Sequence, residues 1–379
     1  MGTVKRTLGI LAGVVVIVAG GVVALAQTGA EPEAALAHTL QAQPLTADLN
    51  GSAVSISSPA AELINAQTGQ VLYAHNVQVK HYPASIVKLM TSLLALDLVK
   101  KGQLTLNSII PVSQAAYQVA LTPGLSVAYL NPMEHIPLWK MLEYMYVVSA
   151  DDAAVALGDS IAGNETQFAA LMNAKAKALH MDHTHYTNAS GLQNPDQYTT
   201  AHDIGILARH LIDQFPVVLK YASLPGMYIH PGQYGTNYDQ LLGQYRGLDG
   251  LKTGSTSQAG YCFVGTAQRG NTRLISVVLD DQTFSDAFQD TSALLDFGFN
   301  QFRTKTLQKA GQGNGMSVYV PNGTEQSLPV APDQSVVIME PTAGKASVQT
   351  TLTQTVAQAP VMRGQAVGYE NVIVSGHVV

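Results

Sequence analysis

The chain has 379 residues, 46% of them hydrophobic, and a formal net charge of −6. The length allows one large domain or two ordinary ones, and the hydrophobic share is enough for a substantial core. Charged residues make up only 12%, and no basic run follows Lys5 and Arg6. The composition therefore argues against nucleic acid as a partner, because nucleic-acid binders usually carry a basic patch.

The N-terminal segment is typical of an exported protein. Lys5 and Arg6 precede a run from Leu8 to Ala26 that is entirely apolar or glycine, and its last three residues supply a small-x-small cleavage site. The run is long for a signal peptide and close to the length that spans a bilayer. Residues 1–26 are therefore predicted to be a signal peptide or an N-terminal membrane anchor. Residues 27–52, rich in Ala, Gln, Thr and Glu, are predicted to be a tether.

The next elements alternate between hairpins and helices. Two short apolar runs flank a turn at Gly69, and this pattern predicts a β-hairpin over 61–73. From Ser85 to Lys100, apolar residues recur at helical spacing. The further predicted elements are helices at 137–148, 151–162, 165–179, 201–212 and 284–302, and a second hairpin at 261–279.

The composition changes near residue 305, where 311–315 has the glycine content of a linker. Short β-rich runs follow, and Pro and Gly separate them. The sequence therefore predicts a main domain over 53–305 and a small all-β domain over 306–379. The last run, 369–379, has no 3.6-residue period, so we expect a strand that does not bind membrane.

The chain has a single cysteine, Cys262, which cannot form an internal disulfide. It lies in an apolar, strand-like run, and no charged residue stands beside it to lower its pKa. We therefore predict a buried structural thiol and not a nucleophile.

Ser85 and Lys88 form the first pair whose spacing indicates chemistry. Side chains three residues apart on a helix lie on the same face and can meet. A serine hydroxyl is a weak nucleophile until a base removes its proton, and a lysine with a lowered pKa can be that base. The pair alone is a weak signal, because an exposed serine and lysine on a surface helix would have the same spacing.

Two further motifs follow in order along the chain. The segment Ser149–Asp152 ends an apolar helix, and Ser149 or Asp151 would suit the N-cap of the next helix, with or without a catalytic role. The Lys-Thr-Gly segment Lys252–Gly254 offers a charge and a hydroxyl that can bind a carboxylate, and a glycine that permits close approach. Alone, that segment would be an ordinary turn leaving a strand.

Together, the Ser-x-x-Lys, Ser-x-Asn and Lys-Thr-Gly motifs belong to β-lactamases and penicillin-binding proteins. The chain resembles the low-molecular-weight penicillin-binding proteins, the serine D-Ala-D-Ala carboxypeptidase family. Beyond the three motifs, the resemblance extends to Pro83–Thr91, Tyr186–Leu192, Tyr198–Asp203 and Asp249–Cys262. It implies an α+β fold, in which an antiparallel sheet is flanked by helices and joined by a helical subdomain. It also makes 53–305 the catalytic domain.

The resemblance implies a catalytic role for each of four residues. Ser85 would attack the carbonyl between the two terminal D-alanines, and neutral Lys88 would accept its proton. Ser149 would relay a proton to the departing D-alanine, and Asp151 would lie beside Lys88 and the substrate amide. Backbone N–H groups of Ser85 and Ser255 would form the oxyanion hole. The residues implied to bind the substrate are Lys252, Thr253, Gly254, Ser255 and Thr256.

The same resemblance implies the partners and the location. The substrate would be a peptidoglycan stem peptide ending in D-Ala-D-Ala, and β-lactams would be covalent inhibitors. No metal or organic cofactor is implied. The protein would act outside the cytoplasm, secreted or tethered to the outer face of the cytoplasmic membrane through an uncleaved N-terminal segment.

Two departures from the family pattern concern charge. The family usually has Asn at the position of Asp151, and relatives often carry an Arg where this chain has Asp280–Ala287, which contains none. A carboxylate within about 4–6 Å of Lys88 would raise the lysine pKa by roughly 1–3 units. We therefore expect slow acylation that improves toward alkaline pH.

Three other interpretations stay open. A β-lactamase-like hydrolase shares the first motif and the fold, although the expected region has no Glu-x-x-Leu-Asn segment. The cluster His180, His183 and His185 would suit a zinc carboxypeptidase, but no matching carboxylate motif accompanies it. The non-enzyme alternative is a peptidoglycan-binding relative weakened by Asp151.

Overall fold

The structure is a computed structural model that describes residues 14–18, 54–313, 315–343, 347–354, 358–374 and 377–378. The described residues divide into two compact units. The larger unit consists of the described parts of Asp48–Gln67 and Val71–Phe299. The smaller consists of the described parts of Met1–Ala47, Thr68–Gln70 and Asn300–Val379.

The elements alternate in type through the larger unit and are strands in the smaller one. The strands are β1 (Val14–Val18), β2 (Ala60–Asn65), β3 (Val71–His75), β4 (Ile109–Ile110), β5 (Ile136–Pro137), β6 (Gly226–His230), β7 (Gln233–Thr236), β8 (Leu248–Thr256), β9 (Gly260–Arg269), β10 (Thr272–Asp281), β11 (Phe302–Gln308), β12 (Ser317–Tyr319), β13 (Ser327–Pro332), β14 (Val336–Pro341), β15 (Val348–Gln354), β16 (Ala366–Val374) and β17 (His377–Val378). The helices are α1 (Lys88–Lys100), which follows a 3₁₀ turn at Ala84–Val87, α2 (Gln114–Ala120), α3 (Leu138–Val147), α4 (Asp151–Ala162), α5 (Glu165–Ala178), α6 (Ala201–Gln214), α7 (Val217–Ala222) and α8 (Phe284–Gln301).

The larger unit is built on a five-stranded antiparallel sheet in the order β3-β2-β10-β9-β8, buried on both faces. Side chains alternate between the faces of a strand. In β10, Ile275 and Val277 join the core shared with helices α1, α3, α4 and α6, whereas Leu274 packs beside Gly298 of α8. On that second face, Phe263 of β9 also meets Phe288 of α8 edge to face, with ring centroids 5.1 Å apart. Each such side chain stabilises the fold by about 1.5–3 kcal/mol through burial.

Helix α4 forms the centre of the helical subdomain. Its residues from Asp151 to Gly158 are all buried, and small side chains let neighbouring helices approach closely. A Cβ on Gly158 would lie 2.9 Å from the Phe168 ring of α5, so only glycine fits that contact. This packing fixes the first turn of α4 in the interior of the unit.

The predicted α+β class, with a helix-flanked antiparallel sheet and a helical subdomain, is confirmed. The predicted hairpins and longer helices are present, within a few residues of their expected bounds. Sequence periodicity missed the short helices α2 and α7 and the hairpin β6–β7. The Lys-Thr-Gly segment lies inside strand β8 and not in a turn. The sequence did not reveal this, because Gly and Thr interrupt the alternation of apolar and polar residues that marks a strand.

Beyond the end of α8, the described part of the smaller unit consists of strands and their connections, as the sequence predicts for the C-terminal region. One sheet has the order β12-β13-β1-β16-β15, with β17 paired to β16, and β11 pairs with β14. The predicted C-terminal strand is therefore confirmed over Ala366–Val374 and His377–Val378. Buried valines such as Val330 and Val367 form the core of this sheet.

Strand β1 lies inside the segment 1–26 that the sequence predicts as a signal peptide or anchor. It pairs antiparallel with β13 and β16, and its sequence, four Val and one Ile, has high strand propensity. The remainder of 1–26 and the predicted tether 27–52 lie outside the described residues. Among the described residues, no helix combines the length and apolar character needed to cross a bilayer.

Candidate active site

Ser85 lies in the 3₁₀ turn that leads into α1. The turn is held from the side by a loop at Gly191, where a Cβ would overlap the Ala84 carbonyl oxygen. Gly191 has φ +93°, a conformation that glycine adopts without the steric cost of a side chain. Ala84 itself has φ +47°. The backbone around Ser85 is therefore shaped by its neighbours as well as by helix propensity.

Lys88 is buried directly below Ser85, with 1% of its surface exposed. Its Nζ donates hydrogen bonds to three oxygens: Ser85 Oγ at 2.8 Å, Asp151 Oδ1 at 2.7 Å and the Ser190 carbonyl at 2.7 Å. An ammonium group has three donors, so all of them are used. The predicted Ser85–Lys88 contact is therefore present in the structure.

Burial lowers the pKa of Lys88 below its usual value, because desolvation disfavours the charged form. The Asp151 carboxylate acts in the opposite direction by charge and by hydrogen bond, and the Asp152 charge adds to it. The predicted upward effect of Asp151 on the Lys88 pKa is therefore present, but desolvation is the larger effect and sets the net direction.

Ser149 lies two residues before α4, where the sequence favours an N-cap. The N-cap residue is Ala150, and it makes no side-chain capping bond, so neither Ser149 nor Asp151 caps this helix. Ser149 has φ +57°, a strained conformation for a residue with a Cβ. Its Oγ accepts a hydrogen bond of 2.9 Å from Lys252 Nζ. The backbone therefore directs the Ser149 hydroxyl toward strand β8.

Lys252 is the second buried lysine, with 2% of its surface exposed. Its Nζ donates to Ser149 Oγ and to the Thr253 carbonyl, each at 2.9 Å. Burial is the largest cause that lowers its pKa well below the usual value, and the positive charge of Lys88 is the second. The Asp151 and Asp239 carboxylates oppose this shift. A positive charge on Lys88 therefore disfavours a second positive charge on Lys252.

The rest of β8 passes directly beside the 3₁₀ turn. A Cβ on Gly254 would lie 3.0 Å from Ser85 N, so glycine at this position permits the close approach that the sequence suggested. Thr253 is buried, and Ser255 pairs with Tyr261 of β9. At the end of the strand, Thr256 Oγ1 donates to Gln193 Oε1 at 3.0 Å.

The structure adds three residues to those that the sequence singled out. The Ser190 carbonyl accepts a hydrogen bond from Lys88, and the Gln193 amide meets Thr256. Ser190 lies within the segment Tyr186–Leu192 and Gln193 directly follows it, so the resemblance identified that segment but not these contacts. Asp239, between β7 and β8, acts on Lys252 by charge. It is far from the motifs in sequence, and no pattern in the chain pointed to it.

The acidic segment Asp280–Ala287 is partly engaged in internal bonds. Asp280 Oδ2 lies 3.3 Å from His81 Nδ1, and Ser58 Oγ donates to the Asp281 carboxylate at 2.7 Å. Burial raises the pKa of Asp281 to about 7, and the charge of nearby Asp290 adds to the shift. The carboxyl groups at this end of β10 therefore bind to neighbouring parts of the same unit.

Two further sequence predictions concern side chains outside this cluster. Cys262 is buried, and burial raises its thiol pKa to about 12, which confirms a structural and unreactive cysteine. In the candidate histidine cluster, His185 Nδ1 lies 2.7 Å from the Asp196 carbonyl. Within the described ranges, no three His, Cys, Asp or Glu side chains are grouped so as to hold a metal ion.

The arrangement combines the parts that acyl transfer to a serine requires. The Ser85 hydroxyl lies within hydrogen-bond distance of the buried Lys88 amine, whose pKa is lowered. The Ser149 hydroxyl accepts a hydrogen bond from the second buried lysine, Lys252. If Lys88 loses one proton, its lone pair can accept only from Ser85, because Asp151 as a carboxylate and the Ser190 carbonyl have no proton to donate. The geometry therefore directs a neutral Lys88 toward the Ser85 proton.

Comparison with known proteins agrees with this arrangement. The model of the D-alanyl-D-alanine carboxypeptidase family matches residues 47–283. D-alanyl-D-alanine carboxypeptidase DacF of Bacillus subtilis is 31% identical over 292 residues, covering 76% of this chain and 74% of that protein. Penicillin-binding protein 5 of Haemophilus influenzae superposes with a TM-score of 0.76 at 28% identity, covering 86% of this chain and 95% of that one. Penicillin-binding protein D2 of Listeria monocytogenes, solved with ampicillin bound, has a TM-score of 0.58 at 34% identity and covers 65% of this chain and 99% of that one.

Proposed function

The chain belongs to the D-alanyl-D-alanine carboxypeptidase family, and we propose that it removes the terminal D-alanine from peptidoglycan stem peptides through an acyl-enzyme on Ser85. The observation that carries this proposal is the set of three oxygens around Lys88 Nζ, one of which is Ser85 Oγ. The family's substrate lies in the cell wall, so the enzyme acts outside the cytoplasm. β-Lactams, which present a strained amide to the same nucleophile, are its covalent inhibitors.

In the proposed reaction, neutral Lys88 accepts the Ser85 proton while Ser85 Oγ bonds to the carbonyl carbon of the penultimate D-alanine. The carbonyl oxygen becomes negative and is bound by the N–H groups of Ser85 and Ser255. The C–N bond then breaks as Ser149 delivers its proton to the departing amine and receives in exchange the proton held by Lys88, which leaves Lys88 neutral again. Water then attacks the ester and gives one proton to Lys88, and Lys88 passes that proton to the Ser85 oxygen as the C–O bond of the ester breaks.

The substrate carboxylate is assigned to strand β8. Lys252 supplies the positive charge, and the hydroxyl groups of Thr253 and Thr256 supply hydrogen bonds. Gly254 and Ser255 keep the backbone of β8 close to the Ser85 turn, as the approach of Gly254 to Ser85 N supports. A charge-assisted contact of this kind is worth about 1.5–3 kcal/mol.

Intact mass spectrometry after treatment with benzylpenicillin tests the nucleophile. We expect one adduct per chain, lost in Ser85→Ala and kept in Ser285→Ala, which removes an exposed serine of α8. An adduct that persists in Ser85→Ala would refute the assignment.

A second assay separates the alternative functions. Release of D-alanine from a peptide ending in D-Ala-D-Ala would identify an active carboxypeptidase, and a relative that only binds the peptide would release none. Rapid turnover of penicillin would favour the β-lactamase alternative.

We also propose that any membrane attachment occurs through the N-terminal segment 1–26. The described C-terminal residues form strands and not an amphipathic helix, which supports this choice. Replacing 1–26 with a cleavable export signal should release the protein from membranes. Continued membrane association of that product would contradict the proposal.

A further inference from the structure

Tyr129 is an exposed aromatic residue held in an unusual backbone conformation. Its φ is +55°, and 54% of its surface is exposed. A residue with a Cβ adopts this left-handed conformation at a cost, and such strained residues cluster at functional sites. The residues on either side, Ala128 and Leu130, are both fully buried. The loop therefore presents the Tyr129 ring to solvent between two inward-facing neighbours, and this arrangement needs a structural cause.

The cause is the carboxylate of Asp152, in the first turn of α4. Asp152 is fully buried. Its Oδ1 accepts a hydrogen bond of 2.9 Å from Ala128 N, and its Oδ2 accepts one of 3.0 Å from Leu130 N. Hydrogen bonds to an ionised carboxylate are among the stronger ones in proteins. Because both flanking amides are bound to one buried side chain, the backbone at Tyr129 is fixed and the ring is directed outward.

The loop that carries Tyr129 is joined to the active site by a second contact. The Ser126 carbonyl accepts a hydrogen bond of 2.7 Å from Asp151 N. The side chain of Asp151 in turn contacts Lys88 Nζ through Oδ1 at 2.7 Å. The loop is therefore attached to the two residues that begin α4, one of which contacts the proposed base. This attachment places Tyr129 at the rim of the site, on the side formed by α4.

This placement decides which part of the substrate the ring can reach. The terminal carboxylate of the substrate is assigned to strand β8, where Lys252 supplies the charge. Tyr129 is attached to α4 instead, where Asp151 would lie beside the substrate amide. The ring is therefore available to the part of the peptide that precedes D-Ala-D-Ala. An aromatic ring offers a broad apolar surface, which suits the methylene groups of a long side chain.

We infer that Tyr129 is a specificity-determining residue: its ring packs on the side chain of the substrate residue that precedes D-Ala-D-Ala and favours a long aliphatic one. The inference rests on the proposed function, because it assumes that peptide as substrate. Loss of the ring should reduce this preference about 4- to 15-fold, which is the worth of one to two buried methylene groups. The left-handed backbone suits Asn better than Tyr, so the ring at this position is explained by a contact and not by loop stability.

The test compares kcat/KM for two peptides, diacetyl-L-Lys-D-Ala-D-Ala and acetyl-L-Ala-D-Ala-D-Ala. Acetylation removes the charge of the lysine side chain, so the ratio of the two values reports its apolar part. The ratio is measured for the parent, Tyr129→Asn, which removes the ring, and Tyr129→Phe, which keeps it. Tyr319→Asn is the matched control, since Tyr319 is 57% exposed and lies in β12 of the smaller unit. We expect the parent to favour the lysyl peptide, and the ratio to fall in Tyr129→Asn only.

The outcomes separate this inference from the proposed function. If the parent releases no D-alanine from either peptide, the proposed function fails. If it does and a folded Tyr129→Asn keeps the parent ratio, the inference is overturned and the function stands.

A second measurement needs no substitution at Tyr129 and no turnover. In Ser85→Ala, the ¹³C-labelled Tyr129 ring, assigned through Tyr129→Phe, should show nuclear Overhauser effects to the lysyl methylene groups of the bound peptide. Absence of these effects, or of peptide binding, would overturn the inference even if Tyr129→Asn does not fold.

Discussion

Two regions of this site each bury a lysine, and they stabilise it differently. At the start of α1, Lys88 contacts a carboxylate, Asp151 Oδ1, at 2.7 Å. In β8, Lys252 contacts two neutral oxygens. A second anion adds little stabilisation to an ammonium group that is already paired with a carboxylate. It adds much more to an ammonium group that is bound only by neutral oxygens. The difference suggests a division of roles in which Lys88 exchanges a proton with Ser85 and Lys252 receives the substrate carboxylate.

The largest expected effect tests the Lys88 half of this comparison. Lys88→Met keeps the apolar stem but removes the amine, so we expect acylation to slow by about 10²–10⁴-fold, the usual contribution of a general base. The substitution also leaves Asp151 buried without its partner, which costs roughly 3–5 kcal/mol of stability. Lys88→Met combined with Asp151→Asn is the control, since it should recover stability but not rate. Recovery of the rate would exclude Lys88 as the base.

A smaller effect is expected at Lys252. Lys252→Met removes a charge-assisted contact worth about 1.5–3 kcal/mol, so the KM for a D-Ala-D-Ala peptide should rise about 10- to 150-fold. Steady-state kinetics should show a KM that changes more than kcat, because the carboxylate is bound in both the ground state and the transition state. If kcat alone falls, Lys252 acts on proton transfer and the comparison of roles is wrong.

Asp151→Asn changes the contact that distinguishes the two regions. Removing a carboxylate from Lys88 lowers its pKa further, by roughly 1–3 units, so more Lys88 is neutral at pH 7. We expect acylation to become faster at pH 7 and its pH profile to begin at lower pH. Acylation rates measured from pH 6 to 10 decide the matter. If the variant is slower at every pH, Asp151 has a direct catalytic role, such as orienting Lys88 or Ser149.

The last prediction concerns the stability of the fold at Asp239 and not the reaction rate. Burial raises the pKa of Asp239 from its ordinary value of 3.8 to about 7 in the folded protein. Its contribution to stability is therefore fully present below about pH 4 and is lost as the pH rises to about 7. The free energy of unfolding of Asp239→Asn, relative to the parent, should increase by up to ~4 kcal/mol between pH 4 and pH 8. Denaturant titrations at pH 4 and pH 8 measure this difference between the variant and the parent. The same difference at both pH values would contradict the burial of Asp239.

The motifs predicted much of the site because its chemistry depends on short spacings. Ser85 and Lys88 meet because they are three positions apart at the start of a helix, and Gly254 is found where close approach requires it. The capping interpretation of Ser149 failed, because a positive φ imposed by tertiary packing overrode the local preference for an N-cap. The sequence predicted that Asp151 raises the Lys88 pKa, but it did not reveal the depth of burial, which sets the net direction.

Residues far apart in the chain were the hardest to predict. Asp239 precedes Lys252 by a loop and part of a strand. Its effect on the Lys252 pKa depends on the fold and not on a sequence motif. The Ser190 carbonyl is a backbone group, so its contact with Lys88 has no side-chain pattern at all. The short helices α2 and α7 were missed because six or seven residues give too few turns for a clear period.

An NMR titration of both buried lysines, labelled with ¹³C at Cε and assigned through Lys88→Met and Lys252→Met, tests the proposed base most directly. We expect both lysines to titrate below the ordinary lysine value of about 10.4. We also expect Lys88→Met to raise the pKa of Lys252, because the Lys88 charge lowers it. A Lys88 that titrates at or above 10.4, or a Lys252 that does not respond to the loss of Lys88, would contradict the proposed base and its coupling to the carboxylate site.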